Sequence, residues 1–330
     1  MIFVLITLLV GSIIAAVHYA EVIAHKLGEP YGTLVLAVSV TVIEVALIVA
    51  MMLSGSDGAA YIARDAVFAA IMIVVNGVVG LCIFIGGLNH RELGFRIEGP
   101  NSAIAVLAAL ATLTLVLPVF TISSPGPTFT VSQLAFAGVS SLVLYGAFIF
   151  FQTVSHRDYF LPHQSDLKTN AEAHAEPPSR NKTIWSAVLL FIALIFVVGL
   201  AKALSPSIEA GVKALGAPNT IVGIVIAALV LMPESVAALR AARANRLQTS
   251  FNLALGSALA SIGLTIPTVA IISIYFGLPL SLGIGPVNMV LLILTLFVGL
   301  ITLALGKTTI LQGIVHLIIF FTYLFTSLIP

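Results

Sequence analysis

Long apolar runs, separated by glycine, proline or charged residues, dominate the chain. Continuous apolar stretches of about 20 residues are typical of helices that cross a bilayer, whereas the strands of a membrane β-barrel alternate between apolar and polar positions. The pattern therefore predicts an all-α polytopic membrane protein with about ten transmembrane helices. The longest of them contains Pro267, which predicts a tilt or a break there. We expect helices near residues 1–23, 33–53, 65–87, 101–121, 132–154, 184–203, 220–239, 248–277, 288–305 and 309–328.

A polar segment, residues 156–183, divides the predicted helices into two groups of five. We therefore expect a first five-helix unit over residues 1–155, a polar linker, and a second five-helix unit over residues 184–330. The charge, proline and histidine content of the segment favours a flexible linker. A second hypothesis is a regulatory segment that senses pH or divalent ions through His163, His174 and its acidic residues.

The number of helices in each half constrains their orientation. Because five is odd, two homologous halves must insert upside down relative to each other, which is the inverted-repeat plan of many secondary transporters. The second helix of each half supports such a repeat. In each, an early glycine, Gly32 or Gly223, precedes a mostly apolar run that contains one glutamate, Glu44 or Glu234.

Composition narrows the class of protein further. Hydrophobic residues make up 60% of the 330 residues and charged residues 8%, whereas soluble domains carry about 25% charged residues. This shortage of charge excludes a soluble enzyme and a disordered protein, and a net charge of +1 gives no basic footprint for a nucleic acid. The single cysteine, Cys82, excludes a disulfide framework and a thiolate metal cage.

Lysine and arginine are distributed unevenly between the two membrane faces if the loops alternate. One face carries Arg64, Lys202 and Lys213, and the other carries the remaining 11 of the 14. Because cytoplasmic loops carry an excess of these residues, we expect a multi-pass protein of the cytoplasmic (inner) membrane, with both termini outside and the linker inside. The basic face carries Lys26, Arg91, Arg96, Arg157, Lys168, Arg180, Lys182, Arg240, Arg243, Arg246 and Lys307.

Almost no side chain inside the predicted spans can ionise, and Glu44 and Glu234 are the clear exceptions. A charged side chain at the bilayer centre costs roughly 2.5–3.5 kcal/mol on insertion scales, so intramembrane carboxylates are functional by default. Together the two side chains offer oxygens to a hard cation such as Ca²⁺, which takes roughly six to eight oxygen ligands. The alternative is a pair of protonated glutamates that hydrogen-bond between helices.

Residues close to the glutamates supply further candidate ligands. Pro233, beside Glu234, removes a backbone donor and is expected to disrupt the helix upstream, which frees carbonyl oxygens for a buried cation. Ser39 and Thr41 precede Glu44 by five and three residues, near enough for hydroxyl ligation. Hydrogen bonding of these hydroxyls to their own helix is the alternative.

The third helix of each half is expected to line the same cavity through Asn76, Ser257 and Ser261. The alternative role of these segments is close helix packing, because small residues recur at four-residue spacing around them. In the last helix, Gln312 and His316 share a face, where interhelical hydrogen bonding is expected.

Three residues at the cytoplasmic end of the first helix and just after it, Glu21, His25 and Glu29, are candidates for a proton or cation access route. The alternative is that these polar side chains simply extend to the membrane interface.

The glutamate pair also couples cations to protons. Repulsion and desolvation favour protons on two buried carboxylates, whereas a bound divalent cation neutralises their charge. Cation and protons therefore compete for one site. If only the cation-loaded or protonated forms reorient between the faces, this competition produces antiport.

The sequence resembles the Ca²⁺:cation antiporter superfamily, and within it the bacterial calcium/sodium:proton antiporters of the cation/proton exchanger branch. The resemblance is close over residues 25–44, at Pro233-Glu234 and over residues 252–257, and it extends over nearly the whole chain. It implies two inverted five-helix repeats. Each would carry an α-repeat on its second and third helices, at about 31–88 and 218–277.

The resemblance also implies that Glu44 and Glu234 are the ion-binding acidic residues. Many members of the family carry Gly-Asn shortly before each glutamate. Here the residues three positions before are Thr41 and Leu231. The side-chain amide is therefore missing from both second helices.

Together these observations predict an antiporter, not an enzyme, that exports Ca²⁺ or Na⁺, with K⁺ as a further candidate, in exchange for protons. The alternatives are a Na⁺/Ca²⁺ exchanger of the same fold and a membrane-embedded enzyme that uses paired carboxylates. No cofactor is expected, because Ca²⁺, Na⁺ and H⁺ are transported ions. The expected partners are inorganic cations, protons and the lipid bilayer, without nucleic acid and without a sign of an oligomer.

Overall fold

The computed structural model describes residues 2–28, 31–53, 55, 58–90, 92–160, 178–214, 218 and 220–329. The apolar runs form helices because a backbone inside a membrane must satisfy its own N–H and C=O groups. The strands in these ranges are β1 (Leu93–Gly94) and β2 (Lys307–Thr308). The α-helices are α1 (Ile2–Leu27), α2 (Tyr31–Met52), α3 (Ile62–Met72), α4 (Val79–His90), α5 (Glu98–Ala111), α6 (Leu117–Phe120), α7 (Val131–Phe150), α8 (Arg180–Ala214), α9 (Thr220–Arg243), α10 (Leu247–Phe276), α11 (Pro286–Ala304) and α12 (Ile310–Leu328).

Three π-helical segments join or extend these helices. Ile73–Val78 connects α3 to α4, and Thr112–Val116 connects α5 to α6, so each pair forms one continuous span. Phe151–Ser155 extends α7. Single π turns inside α-helices occur frequently at functional sites.

The predicted all-α polytopic membrane fold is confirmed. Within the described ranges, nine helical stretches are long and apolar enough to cross a membrane, and α2 contributes a shorter apolar stretch, Ala37–Met52. Together with α2 these stretches give the ten expected spans, five in each half.

Two helices differ from the prediction in their extent. α8 begins at Arg180, within the residues assigned to the linker, and it runs to Ala214, well beyond the predicted end near residue 203. α10 continues through Pro267 without a break. This proline is buried against Gly138 of α7, so packing supports the helix where one backbone hydrogen bond is lost. His163 and His174 of the linker lie outside the described residues.

The loops make two groups of contacts at opposite ends of the spans. At one end β1 pairs antiparallel with β2, and the backbone N–H of Arg96 donates to Oε1 of Gln248 at 2.8 Å. At the other end the backbone N–H of Ser281 donates to the carbonyl of Ala60 at 2.9 Å. We call the first end, which includes Arg96 and Lys307, the basic face and the second the opposite face. This grouping agrees with loops that alternate across the membrane.

Burial separates the central spans from the peripheral ones. In the most apolar window of the third span, 72% of the residues are buried, against 61% for α10, 50% for α9 and 17% for α8. The outer helices present exposed apolar side chains, which suit contact with lipid. The two helices that carry Glu234 and Ser261, α9 and α10, therefore lie toward the centre of the bundle.

Candidate functional site

Glu44 of α2 meets Ser261 of α10, which belongs to the other half of the chain. Each residue is only 2% exposed. Oγ of Ser261 donates to Oε1 of Glu44 at 2.6 Å, a short distance typical of a hydrogen bond to a charged oxygen. The structure thus brings together one predicted ion-binding carboxylate and one predicted cavity-lining hydroxyl from opposite repeats.

Glu234 of α9 is the second buried carboxylate, with 7% of its surface exposed. Neither of its carboxylate oxygens accepts a hydrogen bond from another described residue. The side chain interacts electrostatically with Glu44 and with Glu21. A buried carboxylate without a donor is costly, so this position favours a proton or a cation.

The donor set is small. Among the described residues, no cluster of three or more His, Cys, Asp or Glu side chains is arranged to hold a metal ion. A cation at the two glutamates needs further oxygens from hydroxyls, backbone carbonyls or water.

Ser39 and Thr41 are buried on α2 and hydrogen-bond to their own helix. Their hydroxyls donate to the carbonyls of Val35 and Ala37 at 2.7 and 2.8 Å. Both hydroxyls therefore make the within-helix hydrogen bonds of the alternative interpretation, and their role as ligands stays a prediction. Each hydroxyl oxygen still keeps acceptor lone pairs.

Pro233 lies inside α9, which continues from Thr220 to Arg243. Contrary to expectation the proline does not interrupt the helix. Its ring lacks an N–H group, so only the bond that it would donate to the carbonyl of Leu229 is lost. On α10, Ser257 is partly buried and lies one turn before the serine that contacts Glu44.

Asn76 is fully buried in the π-helical segment, but its amide contacts the last two spans. Nδ2 donates to Oγ1 of Thr295 at 2.8 Å, and Oδ1 lies 3.1 Å from Nδ1 of His316. None of the described hydrogen bonds joins Asn76 to a glutamate. The described contacts of Asn76 are therefore interhelical hydrogen bonds, and its role as a cavity ligand stays a prediction. The interhelical hydrogen bonding expected of His316 is confirmed.

Glu21 and His25 lie at the basic-face end of α1 and border a cavity of about 300 Å³. Glu21 is exposed there, yet it interacts electrostatically with the buried Glu234. The charge of Glu21 at the cavity therefore acts on one member of the glutamate pair. Glu29 lies outside the described residues. The cavity is lined by His18, Glu21, Val22, His25, Pro178 and Lys182.

A third buried carboxylate, Asp65 of α3, is missed by sequence reasoning. It is 5% exposed, and Nε of Arg64 donates to its Oδ1 at 2.8 Å. The side chain of Thr220, at the start of α9, also bonds to it. Arg64 donates further to the carbonyl of Gly283 at 3.1 Å. The pair thus ties α3 to α9 and to the loop before α11 at the opposite face.

We expect Asp65→Ala to lower the free energy of unfolding by about 3 kcal/mol, because it leaves Arg64 partly buried without its charged partner. Thermal unfolding of the purified protein in detergent measures the change. Asp158→Ala removes an exposed carboxylate and serves as the matched control, with little expected effect. Equal melting temperatures for the two variants would contradict the tethering role of Asp65.

Known proteins are similar to this chain in sequence or in fold. The chain matches the family described as "Sodium/calcium exchanger protein" over residues 1–154 and 185–329. The y4hA protein of Sinorhizobium fredii (strain NBRC 101917 / NGR234) is 51% identical over 327 residues, which cover 98% of this chain and 87% of that protein. The sodium-potassium/proton antiporter ChaA of Escherichia coli (strain K12) is 35% identical over 318 residues, covering 96% and 86%. Two structures of the Ca²⁺/H⁺ antiporter protein YfkE match with TM-scores of 0.75 and 0.73 at 17% and 16% identity, covering 98% and 99% of this chain and 90% and 100% of theirs.

Proposed function

Because the chain belongs to the sodium/calcium exchanger protein family, we propose that it is a secondary active antiporter that exports a cation in exchange for protons. The observation that carries the proposal is the buried pair Glu44 and Glu234. One carboxylate has a serine donor, and the other has no donor from another described residue. Members of this family are transporters, so the alternative of a membrane-embedded enzyme is set aside.

The two glutamates provide the coupling. When both are protonated the pair is neutral, and when both are ionised one divalent cation neutralises them; a single Na⁺ or K⁺ does so when one of the two carboxylates keeps its proton. The doubly charged, unloaded pair is the form that is costly to hold in a low-dielectric interior. Reorientation of the protonated and cation-loaded forms therefore exchanges protons for a cation, and Ser261 orients the Glu44 carboxylate for both.

We propose Ca²⁺ and Na⁺ as the transported cations, with K⁺ as a further candidate. Na⁺ and K⁺ are supported by the name of the Escherichia coli relative, and Ca²⁺ by that of YfkE. The description of the family also supports a second candidate, Na⁺/Ca²⁺ exchange on the same fold.

Everted membrane vesicles with an imposed pH gradient test the proposal. CaCl₂, NaCl and KCl are added separately, and at least one of them should dissipate the gradient in vesicles that contain the protein but not in vesicles that lack it. A gradient that persists with all three rejects proton antiport. Uptake of Ca²⁺ driven by a Na⁺ gradient, at equal pH on both sides, would support the exchange alternative instead.

The cavity beside α1 is the proposed access route, with Glu21 and His25 at its mouth. We expect Glu21→Gln to raise the cation KM by about two- to tenfold with little change in kcat. The carboxylate of Glu21 raises the local cation concentration at the cavity but takes no part in the reorientation step. Initial rates in vesicles over a range of cation concentrations measure both constants, and the difference should shrink at high ionic strength. Glu98→Gln, at another exposed site of the same face, is the control. A lower kcat at unchanged KM in Glu21→Gln would argue against an access role.

For topology, we propose an inner-membrane location with both termini outside and the basic face in the cytoplasm. The excess of lysine and arginine on that face supports this orientation.

In a Cys82→Ala background, which removes the single cysteine, we expect a membrane-impermeant maleimide to label Ser123→Cys but not Asn181→Cys in intact cells. Both positions are exposed, the first at the opposite face and the second at the start of α8. Everted vesicles should reverse the pattern. Labelling of Asn181→Cys in intact cells would invert the proposed orientation.

A further inference from the structure

A second polar cluster is buried in the bundle, separate from the glutamate pair. It consists of Asn76, Thr295, Thr302 and His316, which are 0%, 0%, 2% and 0% exposed. The residues come from the third span, α11 and α12. Polar side chains so deep in a membrane protein are expensive unless every polar atom finds a partner.

The hydrogen bonds of this cluster place a hydrogen on Nδ1 of His316. Oγ1 of Thr302 lies 3.1 Å from Nε2, and Oδ1 of Asn76 lies 3.1 Å from Nδ1. An amide oxygen only accepts, so Nδ1 carries the hydrogen, and in a neutral imidazole Nε2 then accepts from the threonine hydroxyl. Nδ2 of Asn76 then donates to Thr295, whose hydroxyl donates to Sδ of Met72 at 3.4 Å. The chain of donors runs in one direction from Thr302 to Met72.

The π-helical segment connects the cluster to the packing of the neighbouring helices. Hydrogen bonds in a π turn span five residues instead of four, and the backbone of Val75 in this segment interacts with the imidazole of His316. α12 also packs closely against α4. A Cβ atom added to Gly80 would lie 2.8 Å from Cβ of His316, and one added to Gly313 would lie 2.6 Å from the backbone nitrogen of Phe84.

The same π-helical segment also packs against α9 and α10, which carry Glu234 and Ser261. We propose that His316 is a positioning residue for cation binding, acting through Asn76. It fixes the shape of the π-helical segment and thereby the approach of α9 to α10 at the glutamate pair. This inference rests on the proposed function and adds to it a residue of the last helix that touches neither glutamate in the described hydrogen bonds.

The test compares His316→Leu with His316→Gln in proteoliposomes of the purified protein. Leucine removes the imidazole partner of Asn76 Oδ1 and of the Thr302 hydroxyl, whereas glutamine offers a donor and an acceptor group. We expect the leucine variant to raise the cation concentration for half-maximal exchange by about tenfold or more, as loss of an outer-shell partner does at metal sites. The glutamine variant should recover most of this loss with the wild-type pH profile. The same two changes at His90, which is exposed, are the controls and should have no effect.

Two results would overturn the inference. If the leucine variant melts at a lower temperature but has a normal exchange rate per folded molecule, the cluster has a purely structural role. A glutamine variant as impaired as the leucine one, with a flattened pH profile, makes His316 a proton carrier. If His316→Leu does not fold, Thr302→Val removes one hydroxyl at equal volume and should shift the half-maximal concentration in the same direction, by less.

A binding readout separates this inference from the proposed function. Ca²⁺ and Na⁺ are each added to the purified protein in detergent, and the rise in melting temperature is recorded. Wild-type protein should be stabilised by at least one of them, and His316→Leu should lose most of that stabilisation. This result would support the positioning role even if the vesicles reveal no proton exchange. In that case the proposed antiport would be rejected and the positioning role would stand.

Discussion

Glutamine at either position of the buried pair is expected to abolish transport. Glu44→Gln and Glu234→Gln should each lower cation:proton exchange by more than about 100-fold. Each change removes one carboxylate from its ion pair with the buried cation, and loss of one partner from a buried ion pair costs about 3–5 kcal/mol. Glutamine preserves the volume of the side chain but neither releases a proton nor neutralises a cation. Exchange rates in everted vesicles, normalised to the amount of folded protein, measure the loss.

The control for this prediction is Glu92→Gln. Glu92 is exposed at the basic face and forms a loose pair with Lys307 at 3.8 Å, so its loss should leave exchange unchanged. Because the two buried carboxylates act as one unit, the double variant should be no worse than either single variant. Uphill cation movement in vesicles that carry both substitutions would refute the role of the pair.

The membrane made much of the fold predictable. A bilayer admits only helices or closed barrels, so the apolar runs determine the fold class and approximate span positions. The same constraint made the site visible. With only 14 basic and 13 acidic residues in the chain, Glu44 and Glu234 stand out inside spans where charge is costly.

The partners of the remaining polar residues were not predictable in the same way. Asn76 faces His316, a residue 240 positions away, and the choice of face depends on a π turn. Each α-helical residue adds about 100° of rotation, so one extra residue in a turn redirects the side chains around it. No periodic signal in the sequence marks such an insertion.

Asp65 was missed for a local reason. Charged residues at the beginning of a span usually mark its end in water, and Arg64-Asp65 has that appearance in the sequence. In the structure the aspartate is buried instead, because Gly223 allows the start of α9 to approach closely. A Cβ atom on that glycine would lie 2.8 Å from the backbone carbon of Asp65. Such a contact between halves depends on the tertiary packing, which single-residue patterns do not encode.

Acidification is expected to weaken cation binding steeply. Protons and the cation compete for the same carboxylate oxygens of Glu44 and Glu234, so the protonated fraction rises as the pH falls and the cation must displace protons to bind. The apparent Kd should rise by up to about tenfold per pH unit for each proton displaced, and therefore by up to about 100-fold for two. Isothermal titration calorimetry of Ca²⁺ and Na⁺ binding at several pH values measures this slope. Repeating the titrations in buffers with different ionisation enthalpies gives the number of protons released.

Ser261→Ala separates affinity from coupling in this experiment. It removes the donor to Glu44 but keeps both carboxylates, so binding should weaken while the pH slope stays the same. Glu44→Gln, in contrast, removes one titrating group, and the number of protons released should fall by one wherever binding is still measurable. A wild-type Kd that does not change with pH, with no proton release in any buffer, would mean that cation and protons occupy separate sites. Competition at the glutamate pair would then not be the source of coupling.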